Sequence, residues 1–367
     1  MLLGLLACTD TPTTPTTPTT TGDTGSTTAL LEAHCGFADC EPVPIDGDPV
    51  ATIGADPSPF RGYGDPSVAR DGVGTAWMTY SWLDVATSGP DVDLAVRTHL
   101  ARRDGDRWTY VRAVNEVTPA THPITSAPGW TFHEVSTWTR RPDGTVEALW
   151  LDYFEGLGAA DRSDFRLARS VASSPDGLGD VVETVIRGSA TPADFGGADL
   201  SARIAELSDC AVFTEPDLFT DGVDTYLAAT CIALDGAVQD VARTRLVLLR
   251  EEGGGYAYVG TLLEGSDASA LGADTLEQAD ISLATDGSWL LVVTPILKAS
   301  DPMHQGCLGL TITDLAAARV ARDGDGVPEV RARITGEGNL LGPGLCTYDR
   351  DLPGGITMVL SSYDLQS

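Results

Sequence analysis

A hairpin pattern recurring five times constrains this chain more than any other feature of its sequence. The best-formed copy runs Asp65-Pro66-Ser67-Val68, turns at Asp71-Gly72, and returns through Ala76-Trp77-Met78-Thr79-Tyr80-Ser81-Trp82. A short apolar strand, a Gly turn and a longer alternating strand make a β-hairpin signature. The second copy spans His133-Glu134-Val135, Asp143-Gly144 and Val146 to Leu151. The third spans Glu215-Pro216-Asp217-Leu218-Phe219, Asp221-Gly222 and Thr225 to Ala229. The fourth spans Asp280-Ile281-Ser282-Leu283, Asp286-Gly287 and Ser288 to Val293, and the fifth Pro343 to Cys346, Gly354-Gly355 and Ile356 to Leu360. The turn glycines 72, 144, 222, 287 and 354 are spaced by 72, 78, 65 and 67 residues, a period long enough for four strands and their loops.

The interval between hairpins supplies the other two strands. Leu94 to Leu100 turns at Asp104-Gly105-Asp106 into Trp108 to Val111, and Phe165 to Val171 is followed by Val181 to Ile186. Arg245 to Leu249 turns at Gly253-Gly254-Gly255 into Tyr256 to Leu263, and Leu315 to Val320 turns near Asp323-Gly324-Asp325-Gly326 into Val330 to Ile334. Five four-stranded antiparallel repeats with almost no helical period predict an all-β chain folded as a five-bladed β-propeller. The fifth repeat reaches only two strands by Ser367, so two edges need covering. The stretch Pro42 to Phe60 is the expected N-terminal strand that completes this last blade.

The chain's 367 residues suit one large all-β domain, here 29–367. Its 23 basic and 53 acidic residues give a formal charge of −30, which repels nucleic acid and anionic membrane surfaces. A solvated acidic surface explains that balance, and Ca2+ sites among the carboxylates are compatible with it. No cofactor is implied.

Residues 1–8 end in Leu5-Leu6-Ala7-Cys8, which resembles a bacterial lipoprotein signal closing on its lipidated Cys8. A basic n-region is missing, so the true start is expected upstream. Residues 9–28 consist of Thr, Pro, Gly, Ser and Asp, a composition that cannot build a core and reads as a disordered linker. Together they predict a monomer tethered by acyl chains to the bacterial outer membrane or cell surface, extracytoplasmic, without spanning the bilayer. The six remaining cysteines, Cys35, Cys40, Cys210, Cys231, Cys307 and Cys346, suit disulfides in an exported chain. The suggested pairs are Cys35–Cys40, Cys210–Cys231 and Cys307–Cys346, among 15 pairings that six cysteines allow. No Cys-x-x-Cys pair favours zinc, so no metal residue is assigned.

First strands line the channel of a propeller, which places Asp65, Glu134, Glu215 with Asp217, and Glu277 with Asp280 near its mouth. Carboxyls converging from separate blades repel, which raises at least one pKa and sets an acid beside a base. Glycosidic cleavage uses that pairing.

The five-repeat layout resembles the five-bladed furanosidase-type propellers, glycoside hydrolase family 43 above all. Gly64-Asp65-Pro66-Ser67-Val68 is similar to that family's first-blade segment, Glu215-Pro216-Asp217-Leu218-Phe219 to its third-blade Asp-Pro segment, and Glu277-Gln278-Ala279-Asp280-Ile281 to its Glu-Gly-Pro. The resemblance implies Asp65 as general base, Glu215 as the group tuning its partner's pKa, and Glu277 as general acid. It departs at Glu215, one methylene longer than Asp, and at Gln278-Ala279, which replace Gly-Pro; Gly342-Pro343-Gly344 lies in the wrong blade to substitute.

His133, Glu134, Asp217, Asp280 and Trp130 are the expected substrate contacts. Each has a structural alternative: a satisfied core histidine, or acids that accept backbone N–H groups. Trp77, Trp150 and Trp289 occupy equivalent second-strand points and read as packing between blades, whereas Trp130 and Trp138 flank the second blade start. Asp323-Gly324-Asp325-Gly326 lacks the spacing of a calcium loop and reads as a hairpin turn. The leading function is an inverting glycoside hydrolase on arabinose- or xylose-type glycans. The rival is a non-catalytic propeller that binds carbohydrate or scaffolds the cell envelope. A sialidase-like enzyme is weaker, since Ser174-Pro175-Asp176-Gly177 is only a fragment of its repeated box.

Overall fold

The computed structural model describes residues 31–35, 45–46, 61–84, 95–157, 162–300, 303–336, 344, 346–351 and 356–357. Four antiparallel sheets dominate. The first orders Arg61–Arg70, Ala76–Asp84, Ala95–Asp104 and Arg107–Ala113 from hub to rim. The second orders Pro128–Arg140, Val146–Gly156, Arg162–Ala172 and Glu183–Arg187. The third orders Val212–Thr220, Thr225–Ile232, Arg245–Glu252 and Gly255–Leu263. The fourth orders Thr275–Leu283, Trp289–Ile296, Cys307–Asp314 and Val330–Gly336. A two-stranded fifth unit pairs Thr347–Tyr348 with Ile356–Thr357. The chain is an all-β propeller.

One sequence-level strand is corrected. The third strand of the fourth blade is Cys307–Asp314, not the stretch from Leu315 to Val320. Leu315–Ala317 forms a single 3-10 turn capped by Asp314, and Arg319–Val320 only folds back onto the real strand. In the Cys-Leu-Gly-Leu-Thr-Ile run, Leu308, Leu310 and Ile312 face one core while Cys307 faces another, the two-residue period of a strand.

A ring of hydrogen bonds at the hub locates all five units. Thr137 Oγ1 accepts Leu218 N–H at 2.9 Å, and Asp217 Oδ2 accepts Ile281 N–H at 2.7 Å. Asp280 Oδ1 accepts Tyr348 N–H at 3.1 Å, and Thr347 Oγ1 accepts Val68 N–H at 3.3 Å. Ser67 closes the circle by donating to Thr137 Oγ1 at 3.3 Å. Each bond joins one inner strand to the next, so Thr347-Tyr348 holds the fifth position between the fourth and first blades.

Outside the ring, the N-terminal region adds parallel strands to two rims. Leu31–Cys35 pairs with Val330–Gly336 of the fourth blade, and Ile45–Asp46 with Trp108 and Thr109 of the first. The rest of the expected closing strand, residues 42–44 and 47–60, lies outside the described residues, as do Cys8 and the 9–28 linker. Cys35–Cys40 also falls there, because Cys40 is not described. The other two pairings form: Cys210–Cys231 inside the third blade, and Cys307–Cys346 tying the fourth blade to the fifth unit.

Packing between blades supplies the core. Trp77 and Trp150 meet Leu100, Val114, Trp138 and Leu178 between the first two blades. Trp289 packs beside Phe219, with ring centroids 5.5 Å apart, between the third and fourth. These three tryptophans are the packing residues that their equivalent positions imply. Among the described residues no helix is long and apolar enough to cross a membrane.

Candidate functional site

Four inner strands carry a β-bulge at the same place, and the bulges build the site. Two residues face one across the pairs that flank Gly64/Ser67, Glu134/Thr137, Thr214/Asp217 and Glu277/Asp280. The first bulged residue has left-handed backbone every time: Asp65 at φ 49, Val135 at 49, Glu215 at 52 and Gln278 at 52. None is glycine. Such backbone costs a non-glycine residue roughly 1–3 kcal/mol, and it persists where surrounding structure over-determines it. The bulges aim side chains into the hub that a regular strand would send elsewhere.

This register sorts the candidate acids. Asp65 and Glu215 sit at the bulge itself. Glu134 and Glu277 sit one residue earlier, and Gln278 takes the bulge position of the fourth blade. Asp217 and Asp280 lie two residues beyond, on the ring that joins the blades. The void between these two tiers is about 20 Å³, room for roughly one water, and is lined by Asp65, Ser67, Thr137, Asp217, Gln278 and Asp280. At the hairpin-turn end the hub opens into a separate hollow of about 450 Å³ lined by Arg70, Arg140, Asp221 and Asp349.

Glu215 is the most perturbed group of the upper tier. Burial raises its pKa well above the usual carboxylate range, and the charges of Asp65, Glu277 and Glu134 raise it further. Burial also raises Asp65, but hydrogen bonds from Ser81, Gln278 and the Val135 N–H pull the other way. Gln278 Nε2 donates to Asp65 Oδ1. Ser81 Oγ meanwhile accepts Val135 N–H at 2.8 Å, joining the first two blades beneath the acid. Glu134 is raised by burial and by Asp65, against the opposing charge of Arg162. Arg162 Nη1 lies 3.0 Å from Glu134 Oε1, and Tyr153 O–H donates to the other oxygen at 3.4 Å. Glu277 Oε1 accepts from Thr275 Oγ1 at 2.7 Å.

The remaining candidates are committed elsewhere. His133 is buried, with Nδ1 on Asp152 and Nε2 on the Glu116 carbonyl at 3.0 Å. Both ring nitrogens are used. Asp152 also accepts from Trp150 Nε1 at 2.8 Å. Asp217 and Asp280 spend their carboxylates on backbone amides and on Thr137 and Thr347. Trp130 is half-buried against the core of the second and third blades, and Trp138 is buried with its Nε1 on the Trp77 carbonyl at 3.3 Å. Among the described residues the group with metal-ligand spacing is Asp209 with Cys210 and Cys231, whose sulfurs are bonded to each other; the hub acids are not gathered tightly enough to form another. Asp323 caps its own turn, accepting Asp325 and Val327 N–H groups at 3.0 and 2.9 Å, the hairpin role expected of it.

Sequence reasoning passed over Gln278, Ser81 and Arg162. Gln278 was legible in part as the residue after Glu277 that departs from Gly. Arg162 lies on a third strand, where nothing in the local pattern marks it.

No family model matches the chain, and no curated protein matches it. Solved structures do. A levansucrase variant from B. megaterium is 14% identical over 78% of this chain and 77% of its own, with a TM-score of 0.46. A xylan β-1,4-xylosidase from Bacillus halodurans C-125 is 14% identical over 82% of this chain and 48% of its own, with a TM-score of 0.46. An α-L-arabinanase variant from Cellvibrio cellulosa is 16% identical over 73% of this chain and 76% of its own, with a TM-score of 0.42. At these values the likeness says nothing of chemistry.

Proposed function

We propose that this propeller is a glycoside hydrolase of the two-carboxylate, inverting kind, acting on arabinose- or xylose-type glycans. The observation that carries this reading is the convergence of Asp65, Glu134 and Glu277 on Glu215, from four blades, at one half-buried point. Like charges so placed cannot all ionise, so the cluster holds a proton near neutral pH beside a carboxylate. Asp65, bonded by three donors, is the carboxylate that takes the proton of an attacking water. Glu277, the acid that the resemblance implies, supplies the proton for the leaving oxygen, and Glu215 beside it tunes that transfer. Arg162 holds Glu134 at the edge, where its carboxylate can accept from a sugar hydroxyl.

The sugar and linkage belong to this proposal, as does a lipid-anchored location through Cys8 on the bacterial surface. A glycan-degrading enzyme on a flexible stalk would meet polymers too large to enter the cell.

The test is a panel of chromogenic furanosides and pyranosides with the wild type, Asp65→Asn, Glu215→Gln and Glu277→Gln. Turnover should fall by about 10²–10⁴-fold in Asp65→Asn and in at least one Glu variant. Wild-type protein that binds the glycans yet releases no sugar, with Asp65→Asn binding equally well, would make this a carbohydrate-binding module instead.

A further inference from the structure

The hollow at the hairpin-turn end of the axis takes no part in the reaction proposed above. We propose that it is a second, non-catalytic site for a short uncharged saccharide, held by the guanidinium groups of Arg140 and Arg350 beside Trp289. The inference goes beyond the hydrolase reading and does not need the hub to be catalytic.

Size and position come first. The hollow measures about 450 Å³, with walls from the four blades and the fifth unit. Small-ligand sites occupy about 300–1,000 Å³. Ser67, Asp217 and Asp280 line both the hollow and the small void above it, which has room for roughly one water. A sugar in the hollow is therefore kept from the upper-tier acids by the ring of hydrogen bonds.

What the hollow lacks is acceptors. Asp349 accepts from Arg70 Nε and Nη2, both at 2.9 Å, and Asp351 lies 3.5 Å from the same Nε. Asp221 accepts the Val223 and Asp224 N–H groups at 2.8 Å, and Asp217 and Asp280 accept amides of the next units. The carboxylates are thus engaged. Arg140 and Arg350 are not: both are exposed, and neither guanidinium has a hydrogen bond or ion pair among the described residues. Arg140 lies across two hairpin turns, where a Cβ at Gly72 would stand 3.3 Å from its Nε and one at Gly144 3.4 Å from its Nη2. Guanidinium offers donors only, so the missing partner is an acceptor.

Charge narrows the class of ligand. Around the walls Arg70, Arg140 and Arg350 stand against Asp221, Asp349 and Asp351, and Asp217 and Asp280 lie beneath with their pKa values raised by burial. The hollow offers an anion no net positive charge, and the chain's −30 repels one further. No group with metal-ligand spacing lies here among the described residues. Sugar hydroxyls supply acceptors without adding charge. Trp289, half-buried with its ring centroid 5.5 Å from Phe219, gives the apolar wall that the C–H face of a sugar ring needs.

The test titrates the full 15N-labelled chain with arabinose, xylose, glucose and glucuronate at millimolar concentrations and follows side-chain N–H signals by NMR. The Trp289 indole reports on the hollow, and the Gln278 amide on the hub. An uncharged sugar should move the Trp289 signal to saturation. The double variant Arg140→Gln, Arg350→Gln, which breaks no hydrogen bond or ion pair among the described residues, should weaken that binding by about fivefold or more, while the Gln278 response stays as it was. A Trp289 signal silent to every sugar, unchanged affinity in the double variant, or glucuronate binding more tightly than glucose overturns the proposal. The two readings fail separately. A saturable hollow with no glycoside cleaved would sink the hydrolase and leave this site; turnover with a silent hollow would do the reverse.

Discussion

Two tiers of polar residues ring the hub, two positions apart on the same strands, and they are opposites. The lower tier, Ser67, Thr137, Asp217, Asp280 and Thr347, hands four inner-strand N–H groups to the side chains of their neighbours and closes through the Ser67 and Thr137 hydroxyls. The upper tier, Asp65, Glu215 and Gln278 with Glu134 and Glu277, is bonded mainly to other side chains, has its first three members on left-handed backbone and leaves buried oxygens bare. Both tiers are acidic, but the lower is buried and the upper half-buried. Residue type therefore does not separate architecture from chemistry here, whereas exposure and the identity of the hydrogen-bond partner do. An acid held by the backbone of the next blade is part of the frame; an acid held mainly by side chains, with an oxygen left bare and other carboxyls facing it, is set up to exchange a proton.

The sharpest way to break this contrast is to remove one carboxyl from each tier. Asp217→Ala deletes the acceptor of Ile281 N–H and a partner of Thr137, leaving a buried donor unpaired. It should cost about 3 kcal/mol of stability in urea unfolding. Glu215→Gln, two residues away, removes a half-buried carboxyl crowded by three others and should change stability by less than about 1 kcal/mol, in either direction. Equal losses would mean that the tiers do not differ.

The same contrast limits what the sequence could show. The spaced Gly turns and alternating strands carried the propeller, because that pattern is local. The hub acids were legible as a group, because every blade repeats its first strand. Their division into two tiers was not. It depends on a bulge that shifts the register, and nothing in Glu134-Val135 or Glu277-Gln278 announces that the bulge falls on the second residue. Gln278 and Arg162 were missed because their roles arise from contacts between blades. The fourth blade's third strand was misplaced because Leu315 to Val320 is as apolar as the true strand before it, and only pairing distinguishes them.

A smaller effect should appear in the pH dependence of stability. Burial raises Asp280 to about 6 and Asp217 and Glu215 well above their usual values. An acid whose pKa is higher folded than unfolded binds its proton more tightly in the native state. Its contribution is present below the unfolded value near 4 and lost as pH rises through the folded one. His304, lowered to about 4 by burial, acts in reverse: its neutral folded form is disfavoured below the unfolded value near 6.5, so it adds stability as pH climbs from about 4 to 6.5. Several acids oppose one histidine. The melting temperature should therefore fall between pH 5 and pH 7.5, and His304→Asn should steepen the fall. A rising melting temperature across that window would mean that the hub acids are ionised without penalty.

The least effect tests whether the ring closes through its smallest member. Thr347 Oγ1 donates to Asp280 Oδ2 at 2.7 Å and accepts Val68 N–H at 3.3 Å, so one hydroxyl joins the fifth unit to both neighbours. Thr347→Val keeps the shape and removes both bonds, at about 1 kcal/mol. Thr347→Ser keeps the hydroxyl and should cost less than half of that. The loss should also be local. Val68 N–H should exchange faster with solvent in Thr347→Val, while Leu218 N–H, held by Thr137 on the far side, should not change. The disulfide Cys307–Cys346 anchors the fifth unit one residue earlier, so the segment should stay in place when its hydroxyl is gone. Uniformly faster exchange at Val68, Leu218 and Ile281 would mean that the five hydrogen bonds open together, and that the lower tier is one cooperative clasp rather than five separate joints.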